Sequence, residues 1–287
     1  MGTAVTFEDA GLGQWTEDQV FEVTAEGIAA YAEATNDPIE AHRKGEIAPP
    51  VFAVVPTFFS MAPAALEVAP VDLLMKLVHG EQDFHFHRAI RPGDMLTCRA
   101  RATGYAALST GSTVVVHAET RDQHGELVNE QWITAFFRGV DAGRSVGDLA
   151  PGHALDAAVT AAAPVAEVTQ HVDEDQTFRY SPASGDPMPI HLDEEIARMS
   201  GLPGIINHGL CTMAFTSWAA LEQYAEGDVT RLKRLAVRFA KPVLPGQDIT
   251  TRFWDLADAT TEGRAVGFET SVGDDLVIRD GLAVFSS

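Results

Sequence analysis

One pattern of residues occurs twice in this chain of 287 residues, and it constrains the fold more than any other feature. The segment YAEATNDPIEAH places Asp37 and His42 after Tyr31, and YSPASGDPMPIH repeats the spacing at positions 180, 186 and 191. All three residues recur at the same offset of 149 positions. A repeat of this length indicates two copies of one domain, because solenoid repeats are several-fold shorter.

The segment between the two copies is typical of a linker. It starts near Asp141 and is rich in Ala, Gly, Pro and Asp, without an amphipathic period. A second pair of similar segments, FHRAIRPGDMLTCRAR around Pro92 and FAKPVLPGQDITTRF around Pro245, lies 153 positions apart. We therefore predict an N-terminal domain over residues 1–140, a linker over 141–163 and a C-terminal domain over 164–287.

Each copy predicts the same order of elements. A short strand and a brief helix lead to the Asp…His loop, where Pro38 and Pro187 discourage continuation of the helix. A longer apolar helix follows, GLCTMAFTSWAALEQYA in the second copy, whereas Pro56 and Pro63 are expected to interrupt its counterpart in the first. Alternating β-branched sequence with Gly-Asp turns then indicates an antiparallel meander. The pattern predicts an α+β domain in which the sheet wraps a helix.

Composition narrows the classes of function. The chain has 20 Lys and Arg against 41 Asp and Glu, a net charge of −21 that repels polyphosphate chains, so we expect no nucleic-acid partner. Cys98 and Cys211 stand at no metal-ligand spacing, which argues against a structural zinc site and favours a reducing cytoplasm. The opening MGTAVTFEDAGLGQW lacks the pattern of a signal peptide, and no apolar run is long enough to span a bilayer, so we expect no membrane association.

The second copy indicates acid–base chemistry. SGDPMPIH places Asp186 and His191 on one Pro-containing loop, where a carboxylate and an imidazole can share a water and its protons. In GIINHGL, His208-Gly209 opens the long helix, and a Gly there lets a ligand oxygen approach an unpaired backbone N–H. Addition of water to a conjugated thioester requires such an arrangement. The alternative interpretation is a capping Asp and a loop His that satisfy local backbone groups.

Residues 180–209 resemble the (R)-specific enoyl-thioester hydratases of the MaoC-like, hot-dog-fold group. The family pattern is Y-x-x-x-S-G-D-x-N-P-I-H-x-D, followed further on by I-x-H-G. The first half, with APPVF at 48–52 and HGEQDFHFHRAIRPGD at 79–94, resembles the substrate-side repeat of double hot-dog members, so the resemblance covers nearly the whole chain. The residues that match the catalytic pattern are Tyr180, Ser184, Gly185, Asp186, Pro189, Ile190, His191, Asp193, Ile206, His208 and Gly209.

This resemblance implies a double hot-dog fold, with two tandem domains that each wrap an antiparallel sheet around a long helix. It implies a hydro-lyase that reversibly hydrates trans-2-enoyl thioesters to (R)-3-hydroxyacyl thioesters, in which Asp186 and His191 activate the water. The first half would shape the acyl tunnel. The resemblance also implies a homodimer, no metal or redox cofactor, and a substrate carried by coenzyme A or a carrier protein. The residues implied in oxyanion and substrate contacts are Gly209, Ser184, His208 and Tyr180.

One residue departs from the family pattern, because Met188 stands where the family has Asn. The substrate class can therefore differ from that of the family, and three alternatives stay open. The first is a MaoC-like lyase acting on a branched, dicarboxylic, steroid or polyketide thioester. The second is a non-catalytic acyl-binding subunit, and the third is a hot-dog thioesterase, which would release a free thiol.

Three further groups have a structural and a functional interpretation. Asp37 and His42 could form a second site, but Ala48-Pro49-Pro50 replaces the His-Gly helix start and proline offers no N–H, so we favour a structural role. His85 and His87 alternate along a predicted strand; no third metal ligand is evident, so we expect no metal there. A basic run either protects a strand edge or contacts the phosphates of coenzyme A or of phosphopantetheine. Its members are Arg231, Lys233, Arg234, Arg238 and Lys241.

Overall fold

The computed structural model describes residues 5–256 and 263–287. The described helices are α1 (Ala25–Ala34), α2 (Glu40–Arg43), α3 (Phe58–Leu66), α4 (Ala157–Thr160), α5 (Gln176–Ser184), α6 (Glu194–Met199) and α7 (Gly209–Ala225). The described strands are β1 (Gln19–Glu22), β2 (Leu77–Phe86), β3 (Met95–Leu108), β4 (Gly111–Arg121), β5 (Leu127–Arg138), β6 (Val146–Gly147), β7 (Ala166–His171), β8 (Leu232–Phe239), β9 (Asp248–Asp255), β10 (Arg264–Val272) and β11 (Asp275–Phe285).

The chain divides into two compact units that do not coincide with the two copies of the repeat. The first unit contains the residues up to Phe21 together with Pro56–His87 and Met95–Gly152. The second contains Glu22–Val55, Arg88–Asp94 and His153–Ser287. The second unit therefore includes α1 and the Asp…His loop of the first copy. The predicted domain boundaries describe the repeat in the sequence and stay a prediction.

In the first unit, strands β2, β5, β4 and β3 pair antiparallel in that order. Helix α3 packs against β3 and β4. Three residues that pair across neighbouring strands belong to the apolar core: Ala102, Val116 and Ile133. Because alternate residues of a strand point to opposite faces, one face of the sheet is apolar and packs against the helix. This is the predicted pairing of a meander with a helix.

The two prolines of the first copy act differently on its helical segment. Pro56 lies in a 3-10 segment, Pro50–Thr57, and so stays outside an α-helix, as expected. The expectation that Pro63 interrupts the helix is wrong, since α3 runs from Phe58 to Leu66 through it. Proline has no N–H to donate to the carbonyl four residues earlier, so the helix continues without that hydrogen bond.

In the second unit, strands β8, β11, β10, β9 and β7 pair antiparallel in that order around the long helix α7. This helix has 17 residues, and buried side chains occur on nearly every face of it, as predicted from its apolar sequence. It ends where Glu226 adopts a left-handed conformation and the Gly227 N–H donates to the Leu221 carbonyl at 3.1 Å. Within the described ranges, no helix has the length and apolar character needed to cross a membrane.

The repeat-equivalent helices α1 and α5 pack together in the second unit. Their tyrosines, Tyr31 and Tyr180, are almost fully buried, and the two hydroxyl oxygens lie 3.2 Å apart. The Gln176 side-chain amide at the start of α5 donates to the Ala34 carbonyl at the end of α1, at 2.5 Å. These contacts place the ends of both helices, and the Asp…His loops that follow them, within one unit.

Candidate active site

The loop that carries Asp186 begins where α5 ends. Gly185 adopts a left-handed conformation (φ 77°), which glycine takes without steric cost. The Ser181 hydroxyl donates to the Asp186 carbonyl at 2.7 Å, and the Asp186 N–H donates to the Ser184 hydroxyl at 3.3 Å. The Met188 N–H donates to Oδ1 of Asp186 at 3.0 Å. One carboxylate oxygen, Oδ1, is therefore held by the backbone.

His191 is held through one ring nitrogen. It lies in the 3-10 turn Pro189–His191, and its Nδ1 is 2.8 Å from the carbonyl oxygen of Ile206. Since a carbonyl only accepts hydrogen bonds, Nδ1 carries the hydrogen and Nε2 carries the lone pair. The backbone thus fixes both the orientation of the ring and the tautomer in which Nε2 can accept a proton.

A second imidazole lies against the first. The rings of His208 and His191 stack with centroids 3.8 Å apart, and the centroid of the Tyr180 ring lies 4.8 Å from that of His208. Nε2 of His208 donates to the Asp186 carbonyl at 3.3 Å and lies 4.0 Å from Oδ2 of the same residue. Nδ1 of His208 is buried and has no partner among the described residues.

Asp186, His191 and His208 together bring three possible ligand atoms close to one another. One ligand atom of each residue lies within 4.8 Å of those of the other two. The two imidazoles are buried, while 17% of the Asp186 side chain is exposed, so the carboxylate is the member of the group that solvent can reach. Such a group can bind one water molecule and accept or return its protons.

The surroundings change the proton affinities of all three residues. Burial raises the pKa of Asp186, against the opposing effects of the Met188 N–H and of His191. Burial lowers the pKa of His191, against the effects of the Ile206 carbonyl and Asp186, so the two pKa values move toward each other. Burial, with the neighbouring His191, lowers the pKa of His208 to about 3, which keeps that ring neutral near pH 7.

Gly209 is the first residue of α7 and follows His208, which has an extended conformation. The first N–H groups of a helix have no partner inside it, and the helix dipole favours negative charge near them. A Cβ atom at this position would lie 3.2 Å from the ring of Phe239. Glycine therefore avoids a close contact with that ring at the end of the helix where an oxyanion could be stabilised.

Two of the residues predicted to contact substrate, Ser184 and Tyr180, make hydrogen bonds to other residues of the protein. The Ser184 hydroxyl accepts from the Asp186 N–H, and Tyr180 binds Tyr31, so both side chains are buried next to the loop. Their predicted contact with substrate stays a prediction. The sequence did not indicate the Ile206 carbonyl as the group that orients His191, because a backbone acceptor leaves no side-chain signal.

In the first copy, the equivalent Asp and His bind each other directly. Nδ1 of His42 lies 2.7 Å from Oδ2 of Asp37, and the Ile39 N–H donates to Oδ1 at 2.9 Å. The His42 and Asp37 side chains are 0% and 1% exposed. Both carboxylate oxygens are thus engaged and shielded from solvent, which fits the structural role favoured for this pair.

The basic run lies on and around β8. Lys241 pairs with Asp275 at 2.5 Å, and Arg238 lies 3.8 Å from Asp280. Lys233 donates to the Thr230 carbonyl at 3.2 Å. The remaining members are Arg231, just before the strand, and Arg234 within it. Contact of this run with a phosphate stays a prediction.

His85 and His87 are paired with carboxylates of the first unit. Nε2 of His85 lies 3.4 Å from Asp83, and Nε2 of His87 lies 3.1 Å from Glu130. Within residues 5–256 and 263–287, Asp186, His191 and His208 form the one group of three close ligand atoms. These two histidines therefore belong to no metal-ligand cluster in that part of the chain.

Comparison with known proteins gives two family matches. The MaoC like domain matches residues 156–274, and the dehydratase domain region of FAS1-like proteins matches residues 10–131. A protein named enoyl-CoA hydratase 2 from Dictyostelium discoideum is 30% identical over 214 residues, which cover 74% of this chain and 69% of that protein. The chain spans only 39% and 30% of the length of two peroxisomal multifunctional enzymes type 2, from Drosophila melanogaster and Mus musculus.

Two solved structures show the fold. A MaoC-like dehydratase from Phytophthora Capsici has a TM-score of 0.83 and 23% identity, with 97% of this chain and 98% of that chain covered. A conserved Mycobacterium tuberculosis protein described as a double hot-dog has a TM-score of 0.61 and 14% identity, with coverage of 95% and 94%. The α+β double hot-dog prediction is confirmed, and the chain belongs to the MaoC-like dehydratase family.

Proposed function

We propose that this chain is a hydro-lyase that adds water reversibly to trans-2-enoyl thioesters and forms 3-hydroxyacyl thioesters. The observation that carries the proposal is the group formed by Asp186, His191 and His208. In it, Nδ1 of His191 is bound to the Ile206 carbonyl and Nε2 is left as the basic atom. The helix start at Gly209 follows directly in the chain. The relatives named enoyl-CoA hydratase 2 and 3-hydroxyacyl-thioester dehydratase support the same reaction.

The geometry suggests how the protons move. Nε2 of His191 accepts one proton of the water while the water oxygen bonds to C3 of the enoyl thioester. The electron pair of the C2–C3 double bond moves toward the thioester oxygen, where the Gly209 N–H stabilises the negative charge. Asp186 delivers a proton to C2, and the proton on His191 restores it. The balance is one water added across the double bond, with no change of oxidation state and an intact thioester.

The converging pKa values of Asp186 and His191 suit this exchange. Burial opposes a charge on either residue, since it raises the pKa of the acid and lowers that of the base. The free-energy change of proton transfer between two groups becomes smaller as their proton affinities approach each other. The pair can therefore act in both directions, as hydration and dehydration require.

The experiment follows the ultraviolet absorbance of the conjugated enoyl thioester with crotonyl-CoA and with a longer trans-2-enoyl-CoA. Wild type and Asp186→Asn are compared side by side, with free thiol measured in the same samples. Loss of absorbance by wild type alone, without thiol release, supports the proposal. Thiol release would instead support a thioesterase. No reaction with either substrate would contradict the simple hydratase.

Met188 favours a second candidate, a lyase for a specialised thioester that is branched, dicarboxylic, or derived from a steroid or polyketide. Its side chain is 48% exposed although it lies two residues from Asp186. An exposed apolar residue on the loop that carries Asp186 favours a bulky apolar substrate over a short one. A panel of enoyl thioesters of increasing bulk tests this, with crotonyl-CoA as the reference. If the chain is a non-catalytic acyl-binding subunit, no enoyl thioester of the panel will react.

The carrier, the assembly and the compartment are also proposals. We propose coenzyme A or a carrier protein as the carrier, with the basic run around β8 as the phosphate contact, and a homodimer in the cytoplasm. No metal or redox cofactor and no nucleic-acid partner are proposed. Several relatives are named as peroxisomal, so the compartment needs its own test by fluorescence imaging of the tagged chain. Sedimentation measures the oligomeric state.

A further inference from the structure

We propose that Asp186, His191 and His208 form a reversible inhibitory site for a divalent transition-metal ion of the Zn²⁺ class. The metal would bind in place of the catalytic water. The site itself follows from the donor atoms, and only the inhibitory consequence rests on the proposed function. The starting observation is that one ligand atom of each residue lies within 4.8 Å of those of the other two.

The donor types suit this class of metal. Zinc binds imidazole nitrogen and carboxylate oxygen at about 2.0–2.2 Å, and three protein ligands leave a fourth tetrahedral position for water. Bonds of that length place tetrahedral ligands about 3.3 Å apart. The donor atoms already lie within 4.8 Å of one another, but the His191 and His208 rings stack at an interplanar angle of 24°, so the His208 ring must rotate before both nitrogen lone pairs point at one ion. Mg²⁺ and Ca²⁺ prefer all-oxygen sites and are expected to bind poorly.

Two of the three ligands are already oriented through their other heteroatom. Nδ1 of His191 is bound to the Ile206 carbonyl at 2.8 Å, which leaves the lone pair on Nε2 for a metal. Oδ1 of Asp186 accepts from the Met188 N–H at 3.0 Å, which leaves Oδ2 for a metal. Metal-binding histidines and carboxylates commonly have such supporting bonds.

His208 can supply the third ligand if its ring rotates out of the stack with His191. Its Nε2 now makes one long hydrogen bond of 3.3 Å to the Asp186 carbonyl and lies 4.0 Å from Oδ2. Its Nδ1 is buried without a partner among the described residues, so neither tautomer satisfies both nitrogens. A metal bound at Nε2 replaces the weak bond and needs the neutral ring that burial favours. The partial exposure of Asp186 gives the ion a route from solvent.

The test measures Co²⁺ and Zn²⁺ binding to the full-length, chelator-treated protein by calorimetry and, for Co²⁺, by visible absorption. We expect one ion per chain and the intense visible bands of tetrahedral Co²⁺. Asp186→Asn and His208→Gln should each weaken binding at least about tenfold, because each removes a ligand. His171→Gln is the matched control, since His171 is an exposed histidine paired with Asp248 at 2.7 Å, and it should bind as wild type does.

Unchanged affinity in both site variants would overturn the proposal, as would a weak octahedral Co²⁺ spectrum in wild type. The wild-type spectrum decides the matter even if a variant fails to fold. In the enoyl thioester assay, Zn²⁺ should inhibit hydration and a chelator should restore it. Tight, site-dependent binding in a protein that hydrates no substrate would leave the metal site standing and contradict the proposed function. Hydration unaffected by saturating Zn²⁺ would refute inhibition.

Discussion

The two Asp…His loops of the repeat have the same spacing, but their histidines bind different partners and their carboxylates differ in exposure to solvent. In the first copy, Nδ1 of His42 binds the Asp37 carboxylate directly at 2.7 Å, and both side chains are shielded from solvent. In the second copy, the same ring nitrogen of His191 binds the Ile206 carbonyl instead. The second pair therefore keeps one carboxylate oxygen and the His191 Nε2 beside a partly exposed carboxylate, whereas the first pair uses both carboxylate oxygens, and the Nε2 of His42 is buried without a partner among the described residues.

The difference originates after the loop, in the segment that precedes the long helix. In the second copy this segment provides the Ile206 carbonyl, the His208 ring and the helix start at Gly209. In the first copy, the chain after the Asp…His loop includes Pro50–Thr57, a 3-10 segment that leads into α3. The spacing of Asp and His thus determines the loop, and the following segment determines whether the histidine is free to act.

The largest expected effect is on catalysis. Asp186→Asn or His191→Ala should lower the rate of enoyl thioester hydration by about 10²–10⁴-fold, because each removes an acid–base partner. Asp37→Asn and His42→Ala, the equivalent changes in the first copy, should lower it much less. Initial rates of all four variants, normalised to folded protein by circular dichroism, make the comparison.

Equal losses from both pairs would show that the first pair also takes part in the reaction. Near-normal rates in Asp186→Asn and His191→Ala would contradict the site assignment. A loss confined to the second copy would confirm that two loops of equal spacing have separated into one reactive and one structural pair.

Much of this comparison could be predicted from the sequence, and its decisive part could not. The repeat and the long apolar helix α7 followed from spacing and periodicity, and the choice of Asp186 and His191 followed from their loop together with the family resemblance. The hydrogen bond from His191 to a backbone carbonyl did not, because any residue at position 206 has that carbonyl. The assignment of α1 to the second unit also left no signal, since packing between segments distant in the chain depends on the whole fold.

The second effect is on stability. His42→Gln should lower the free energy of unfolding by about 3 kcal/mol, because it leaves the buried Asp37 carboxylate without its partner. His191→Gln should cost less, since His191 binds the Ile206 carbonyl and not Asp186, whose side chain keeps some contact with water. Urea denaturation of the two variants measures the difference. A larger loss for His191→Gln would mean that the second pair, not the first, is the structural one.

The third effect concerns pH. Burial lowers the pKa of His208 from 6.5 to about 3, so between these values the unfolded chain binds a proton that the folded chain does not. Stability is therefore complete above about pH 6.5 and falls as pH decreases toward 3, by at most about 1.4 kcal/mol per pH unit. His208→Gln should reduce this slope of the unfolding free energy against pH by up to about 1.4 kcal/mol per pH unit, the contribution of one proton. Urea denaturation at several pH values from 7 to 4 measures it, and an unchanged slope would contradict the buried neutral ring.

The smallest expected effect concerns Met188 and its equivalent in the first copy, Ile39. Met188 and its equivalent Ile39 are both apolar, and each donates its N–H to Oδ1 of the preceding Asp, at 3.0 and 2.9 Å. Any residue except proline supplies that N–H, so Met188→Asn should change the free energy of unfolding by less than about 0.5 kcal/mol.

The same variant should shift substrate preference if the proposed role of Met188 holds, because this exposed residue lies two positions from Asp186 in the chain. We expect the ratio of kcat/KM between a bulky enoyl thioester and crotonyl-CoA to fall by up to about tenfold, the effect of losing one or two apolar contacts. Ile39→Asn, on the loop whose Asp and His bind each other, should leave the ratio unchanged. An equal shift in both variants would mean that the two loops face the substrate alike, and a shift in neither would remove Met188 as a determinant of substrate class.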